Sequence, residues 1–125
     1  MIAFRAALLV LIAAPPATAD RKAVLDALRP PVEAKLGPNV EFVVAHLRIE
    51  DGWAFVIVDP QRKGGKPIDG WAIFGEHFDN MDGLRTEAVL RRTKGRWRVV
   101  DWGIGATDVW YCDGGPKKLN RGYGC

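Results

Sequence analysis

The sequence predicts an α+β domain: an N-terminal helix packed on a curved antiparallel sheet of about four strands in two hairpins, closed by a disulfide-stapled tail. Three observations carry this expectation. Helical spacing gathers in the residues ahead of Gly37. Beyond it, β-branched and aromatic runs pair off around Asp51-Gly52 and Lys94-Gly95. The only cysteines, Cys112 and Cys125, bracket a glycine-rich end of the chain.

The opening segment reads as a secretory signal peptide. Arg5 is the single charge of the first stretch, Ala6 to Ala14 is wholly apolar, and Pro15-Pro16 precedes the small residues Ala17-Thr18-Ala19. That order predicts cleavage after Ala19, with residues 20–125 forming a single domain in the periplasm or outside the cell. A spanning helix needs roughly 20 apolar residues, so no transmembrane segment is expected once the signal is removed. The formal net charge of +3 is too mild for a dedicated nucleic-acid binder.

Asp20 offers an N-cap, with Val24, Leu25 and Leu28 at helical spacing behind it. Pro30 and Pro31 are expected to divide the helix into two short pieces with a kink, the second carrying Val32, Ala34 and Leu36. Gly37-Pro38-Asn39 ends it. From Val40 to Ile49 the alternation is imperfect: Val40, Phe42 and Val44 share one face, Ala45, Leu47 and Ile49 the other. Either both faces are partly covered or a bulge near Ala45 shifts the phase. Asp51-Gly52 turns the chain into Trp53 to Val58, closed by Asp59 and Pro60.

A polar, glycine-rich loop runs from Gln61 to Gly70. Trp71, Phe74, Phe78 and Met81 then predict a partly helical lid or crossover, weakened by Gly75 and Asn80. From Leu84 to Arg92, Leu84, Ala88 and Leu90 oppose Arg85, Glu87 and Arg91; from Arg96 to Trp102, Trp97 and Val99 oppose Arg96 and Arg98. This second hairpin is expected to keep one wet face. Trp53 and Trp71 are expected in the core. The Cys112–Cys125 bond closes a short loop and, in the chain-entropy account, contributes about 3 kcal/mol.

The order of helix and antiparallel strands resembles the cystatin-like and nuclear-transport-factor-2-like superfold, which hosts enzymes and binding proteins alike. Several phrases also resemble a family of small exported bacterial proteins without an assigned activity. They include Leu28-Arg29-Pro30, Trp53-Ala54-Phe55-Val56, Trp97-Arg98-Val99-Val100 and Ile104-Gly105-Ala106-Thr107-Asp108-Val109. The resemblance implies export and one domain as far as Trp110, and no mechanism; the stapled tail has no counterpart in it.

Chemistry has few places to reside. Gly105, Thr107 and Asp108 form a candidate ligand site, with Trp102 and Trp110 as stacking walls. The simpler account is a sharp bend allowed by glycine. Arg91, Arg92, Arg96 and Arg98 form a candidate surface for an anionic partner, or a solvated hairpin guarded against edge pairing. Glu76, His77, Asp79 and Asp82 crowd one segment without metal-binding or catalytic spacing. Aligning Gly83 with the glycine of a calcium loop places Phe78 and Val89 at ligand positions, so that pattern fails. Gly64-Gly65-Lys66 lacks the spacing of a phosphate loop. No cofactor or metal is expected.

These readings point to a non-catalytic envelope module that binds a ligand or protein. The alternative is a small periplasmic hydrolase or isomerase using Asp108 with His46 or His77. A structural or inhibitory partner of an envelope enzyme, docking through the basic hairpin, is the third. Denaturing mass spectrometry of exported protein should show a chain that begins at Asp20 and lacks two hydrogens for the Cys112–Cys125 bond. A retained leader or free thiols would contradict the export argument.

Overall fold

A computed structural model describes residues 16–125, with side chains from Thr18 onward. Most of the expected signal segment therefore lies outside the described residues. The chain enters through helix α1 (Pro16–Leu36), in which Val24, Leu28, Val32 and Leu36 recur every fourth residue at no more than 1% exposure. The expected division at Pro30 and Pro31 is not found, since both lie inside the one helix. Burying each side chain of the stripe contributes about 1.5–3 kcal/mol. Together they offset the roughly 3 kcal/mol that an interior proline costs. Asp20 is not the N-cap either, because the helix begins at Pro16. Its carboxylate accepts a hydrogen bond from Trp97 Nε1 at 3.4 Å and lies 3.9 Å from the Arg92 guanidinium. Gly37, at φ 90°, ends the helix by donating its N–H to the Glu33 carbonyl at 2.8 Å.

Behind α1 stands one antiparallel sheet with strands in chain order: β1 (Val40–Glu50), β2 (Trp53–Arg62), β3 (Thr86–Thr93) and β4 (Arg96–Ile104). Both hairpins turn through paired left-handed residues, Asp51-Gly52 at φ 53° and 77°, Lys94-Gly95 at φ 52° and 74°. In β1, Val44 faces Val58 but His46 faces Ile57, so Ala45 is an extra residue. The bulge carries Leu47 and Ile49 onto the face already holding Val40, Phe42 and Val44, all against α1. A matching bulge in β4 leaves Val100 between the partners of Leu90 and Val89. It puts Trp97, Val99, Trp102 and Ile104 on the same helix-covered face.

Strand β2 runs past its expected end at Val58 as far as Arg62. Pairing with β3 stops at Val58, so Pro60, opposite Phe42, lies where β2 has a neighbour on one side only. The connection to β3 is partly helical, as its spacing predicts. Helix α2 (Gly70–Phe74) starts at Asp69, whose carboxylate accepts from the Ala72 N–H at 3.1 Å, and a 3₁₀ turn follows over Gly75–Asn80. Trp71 departs from expectation, being half exposed rather than in the core.

The largest correction concerns the other face of the sheet. Over β2 and the adjoining part of β3 it is not wet, because the C-terminal tail lies across it; toward the hairpin end and along β4, Arg91, Arg96, Arg98 and Asp101 stay exposed, as expected. Phe55, Ile57 and Val89 are at most 1% exposed, packed with Tyr111 and Leu119 in a second apolar cluster that Trp53, Trp110, Cys112 and Tyr123 flank. The expected exposure of Glu87 fails with it, since that side chain is 7% exposed. The tail has little regular structure beyond 3₁₀ turns at Trp110–Asp113 and Lys117–Leu119. Side chains organise it instead. Tyr111 Oη donates to the Tyr123 carbonyl at 2.7 Å, and Asn120 Nδ2 donates to the Tyr111 carbonyl at 2.6 Å. The Cys112–Cys125 bond closes the loop that carries Asn120 and Tyr123, immediately after Tyr111.

Replacing both cysteines by serine should cost about 3 kcal/mol of stability, and the loss should be uneven. Hydrogen exchange should accelerate at Tyr111, Asn120 and Tyr123 while Val24 and Leu28 in α1 keep their protection. Equal acceleration on both faces would show that the tail is no separate cover.

Candidate functional site

One cavity of about 360 Å³ opens beside the place where the tail meets the sheet. Ile57 and Glu87 face it from β2 and β3, Asp82 and Arg85 from the connection before β3, and Thr107 and Asp108 from the chain after β4. Tyr111 and Tyr123 close it from the tail. Gly105 holds these segments in place. At φ 67°, its N–H donates to the Arg85 carbonyl at 2.7 Å and its carbonyl accepts from the Asp82 N–H at 2.8 Å. A side chain here would meet the Gly83 carbonyl at 2.6 Å, so glycine alone fits.

Glu87 is the unusual group. Burial raises its carboxyl pKa above the ordinary value; the nearby Arg85 charge, the Tyr111 hydroxyl and the Trp110 indole oppose that rise, and Asp82 adds to it. Neither tail aromatic completes an aligned bond to the carboxylate. The Tyr111 hydroxyl gives its one proton to the Tyr123 carbonyl, and Trp110 Nε1 is buried without an acceptor. Trp110 packs over Gly103, which stands opposite Glu87 in the ladder. The Tyr111 hydroxyl is in turn pushed up, first by burial and then by the neighbouring Glu87 charge.

The residues singled out in sequence divide between places. Thr107 and Asp108 line the cavity, and Gly105 is its structural corner. Trp110 belongs to the tail-side cluster beside it, whereas Trp102 packs on the opposite, helix-covered face. The two tryptophans therefore do not form facing walls. Neither histidine lines the cavity with Asp108. His46 packs 3.9 Å from the Tyr123 ring and 5.4 Å from Phe55, its pKa lowered by burial and then by Arg48, while His77 is exposed in the 3₁₀ turn.

The four arginines do not share a face. Arg91 stacks 5.0 Å from the Trp53 ring on the tail side, directly opposite Arg98. Arg96 lies two residues from Arg98, on the same side. Arg92, opposite Trp97, turns toward Asp20 on the helix side.

Sequence reasoning missed Glu87, Arg85 and Tyr111 as one constellation. Glu87 alternates with Ala88 as any half-wet strand residue would. The available signal was the cluster Trp110, Tyr111, Leu119 and Tyr123, too apolar for a tail left in water. Among the described residues, no three His, Cys, Asp or Glu side chains gather closely enough to hold a metal ion. No family model, curated protein or solved structure matches the chain.

A carboxyl whose pKa is raised on folding binds its proton more tightly in the native state. Stability therefore falls as pH rises from the unfolded value through the folded one. Glu87→Gln removes that penalty without changing shape. Its melting temperature should exceed that of the parent at neutral pH, and the gain should vanish below the ordinary carboxylate range. A gain independent of pH would assign the effect to something other than the charge on Glu87.

Proposed function

We propose that this chain is a small exported protein of the bacterial envelope that binds a small polar ligand without chemically changing it. The observation that carries the reading is the cavity itself, with the nearly buried carboxylate of Glu87 facing it and Thr107 and Asp108 at its walls. Ligand sites usually span about 300–1,000 Å³, so this cavity suits a metabolite rather than a polymer. Kinship with the small exported bacterial proteins named above belongs to the same proposal.

Export draws support from one further feature. The Cys112–Cys125 bond is formed, as an oxidising compartment favours. The signal-like order of residues before Asp20 completes the argument. Among the described residues no helix is long and apolar enough to cross a membrane.

Thr107→Trp puts an indole into the cavity from an exposed position and leaves both apolar clusters intact. Low-molecular-weight extract of the envelope should shift amide NMR signals of Arg85, Glu87, Thr107, Asp108 and Tyr111 in the parent chain and leave them unmoved in this variant. Shifts that persist in the variant, or that fall elsewhere in the parent, would overturn the assignment.

A further inference from the structure

The charges around the cavity narrow the ligand class, an inference that rests on the binding reading above. Asp82, Glu87 and Asp108 face the cavity with Arg85 as the one basic side chain in its lining, in a chain whose overall formal charge is +3. The opening thus gathers acid on a protein that is otherwise mildly basic.

Arg85 offsets part of the cost of charge on Glu87, but the groups do not close into ion pairs. None of the four takes part in an ion pair among the described residues. For exposed Asp82, Asp108 and Arg85, water serves as partner. Glu87 is different, because it is 7% exposed and the Tyr111 hydroxyl beside it spends its proton on the Tyr123 carbonyl. A carboxylate held this way is costly unless a cation or a donor reaches it. The acids are too dispersed for a metal ion, so an organic cation is the fitting complement. A neutral polyol would donate hydrogen bonds to the carboxylate but bring no countercharge to the three acids.

Arg85 supplies the other half of the pattern. It stands two residues from Glu87, in the connection just before β3, and lines the same cavity. A guanidinium recognises a carboxylate through paired hydrogen bonds. Tyr111 and Tyr123 add aromatic surface against which an alkyl ammonium packs well.

We propose that the cavity takes a small zwitterion, an amino acid or dipeptide, with its ammonium group held by Glu87 and Asp108 and its carboxylate by Arg85. The probes are L-alanyl-L-alanine, its N-acetylated form, its C-terminal amide, and glucose, each titrated into the isotope-labelled full chain at neutral pH. The free dipeptide should shift the amides of Arg85, Glu87, Thr107 and Tyr111. Each blocked form should bind about tenfold or more weakly, as the loss of a charge-assisted bond implies. Glu87→Gln should weaken the free dipeptide about tenfold or more and leave the N-acetylated form unchanged; Arg85→Gln, at an exposed position, should do the same with respect to the amide.

Equal binding of free and blocked dipeptides, or preferred binding of glucose, would overturn the zwitterion while keeping the cavity as a ligand site. Cavity shifts with the envelope extract but none with the dipeptide would do the same. Silence of the cavity toward every probe and the extract would remove both readings.

Discussion

Strand β2 carries five consecutive residues, Ala54 to Val58, that are buried on both faces of the sheet. A strand of that kind requires cover on each side, and among the described residues there is one long helix to give. The tail supplies the second cover, and it does so with two short 3₁₀ turns and no α-helix or strand of its own. Its glycines allow close approach: a side chain at Gly114 would come 3.3 Å from Val89, and one at Gly115 3.2 Å from Trp53. Leu119 and Tyr111 provide the apolar contact, and the Cys112–Cys125 bond reduces the entropy that an irregular segment would otherwise regain on release.

The cavity follows from this arrangement. The tail covers enough of the sheet to bury Glu87 but leaves a space between itself and the chain after β4. A carboxylate on a wet strand would be an ordinary solubilising residue. Under the tail it loses water, its pKa rises, and it faces a polar opening. Arg85, at the end of the connection into β3, and Asp108, placed by the bend at Gly105, then share one small volume with it. The site is thus a product of layering rather than of a local motif.

The helix-covered face depends on the two bulges. Without Ala45 as an extra residue, Leu47 and Ile49 would point away from α1; without Val100, Trp102 and Ile104 would. Both bulges lie in edge strands, where they also spoil the regular ladder that would invite another chain to pair. The lysine and arginine residues of the β3–β4 hairpin serve that end as well.

Much of the architecture was legible in the residues. Asp51-Gly52 and Lys94-Gly95 adopt the left-handed pairs that their chemistry favours, Gly37 ends α1, and the phase break at Ala45 marks its bulge. Those features are local, set by backbone sterics and by the alternation of neighbours, so the order of residues determines them by itself. The continuity of α1 through Pro30 and Pro31 was not local: a buried stripe against the sheet outweighed two missing donors. Nor was the burial of Glu87, because nothing in a strand's alternation says whether its polar face meets water or another layer. Only the tertiary structure decided that, by bringing residues 110–125 over β2 and β3. The physical reason is that apolar burial depends on what lies across the sheet, and the chain determines that at a distance of many residues.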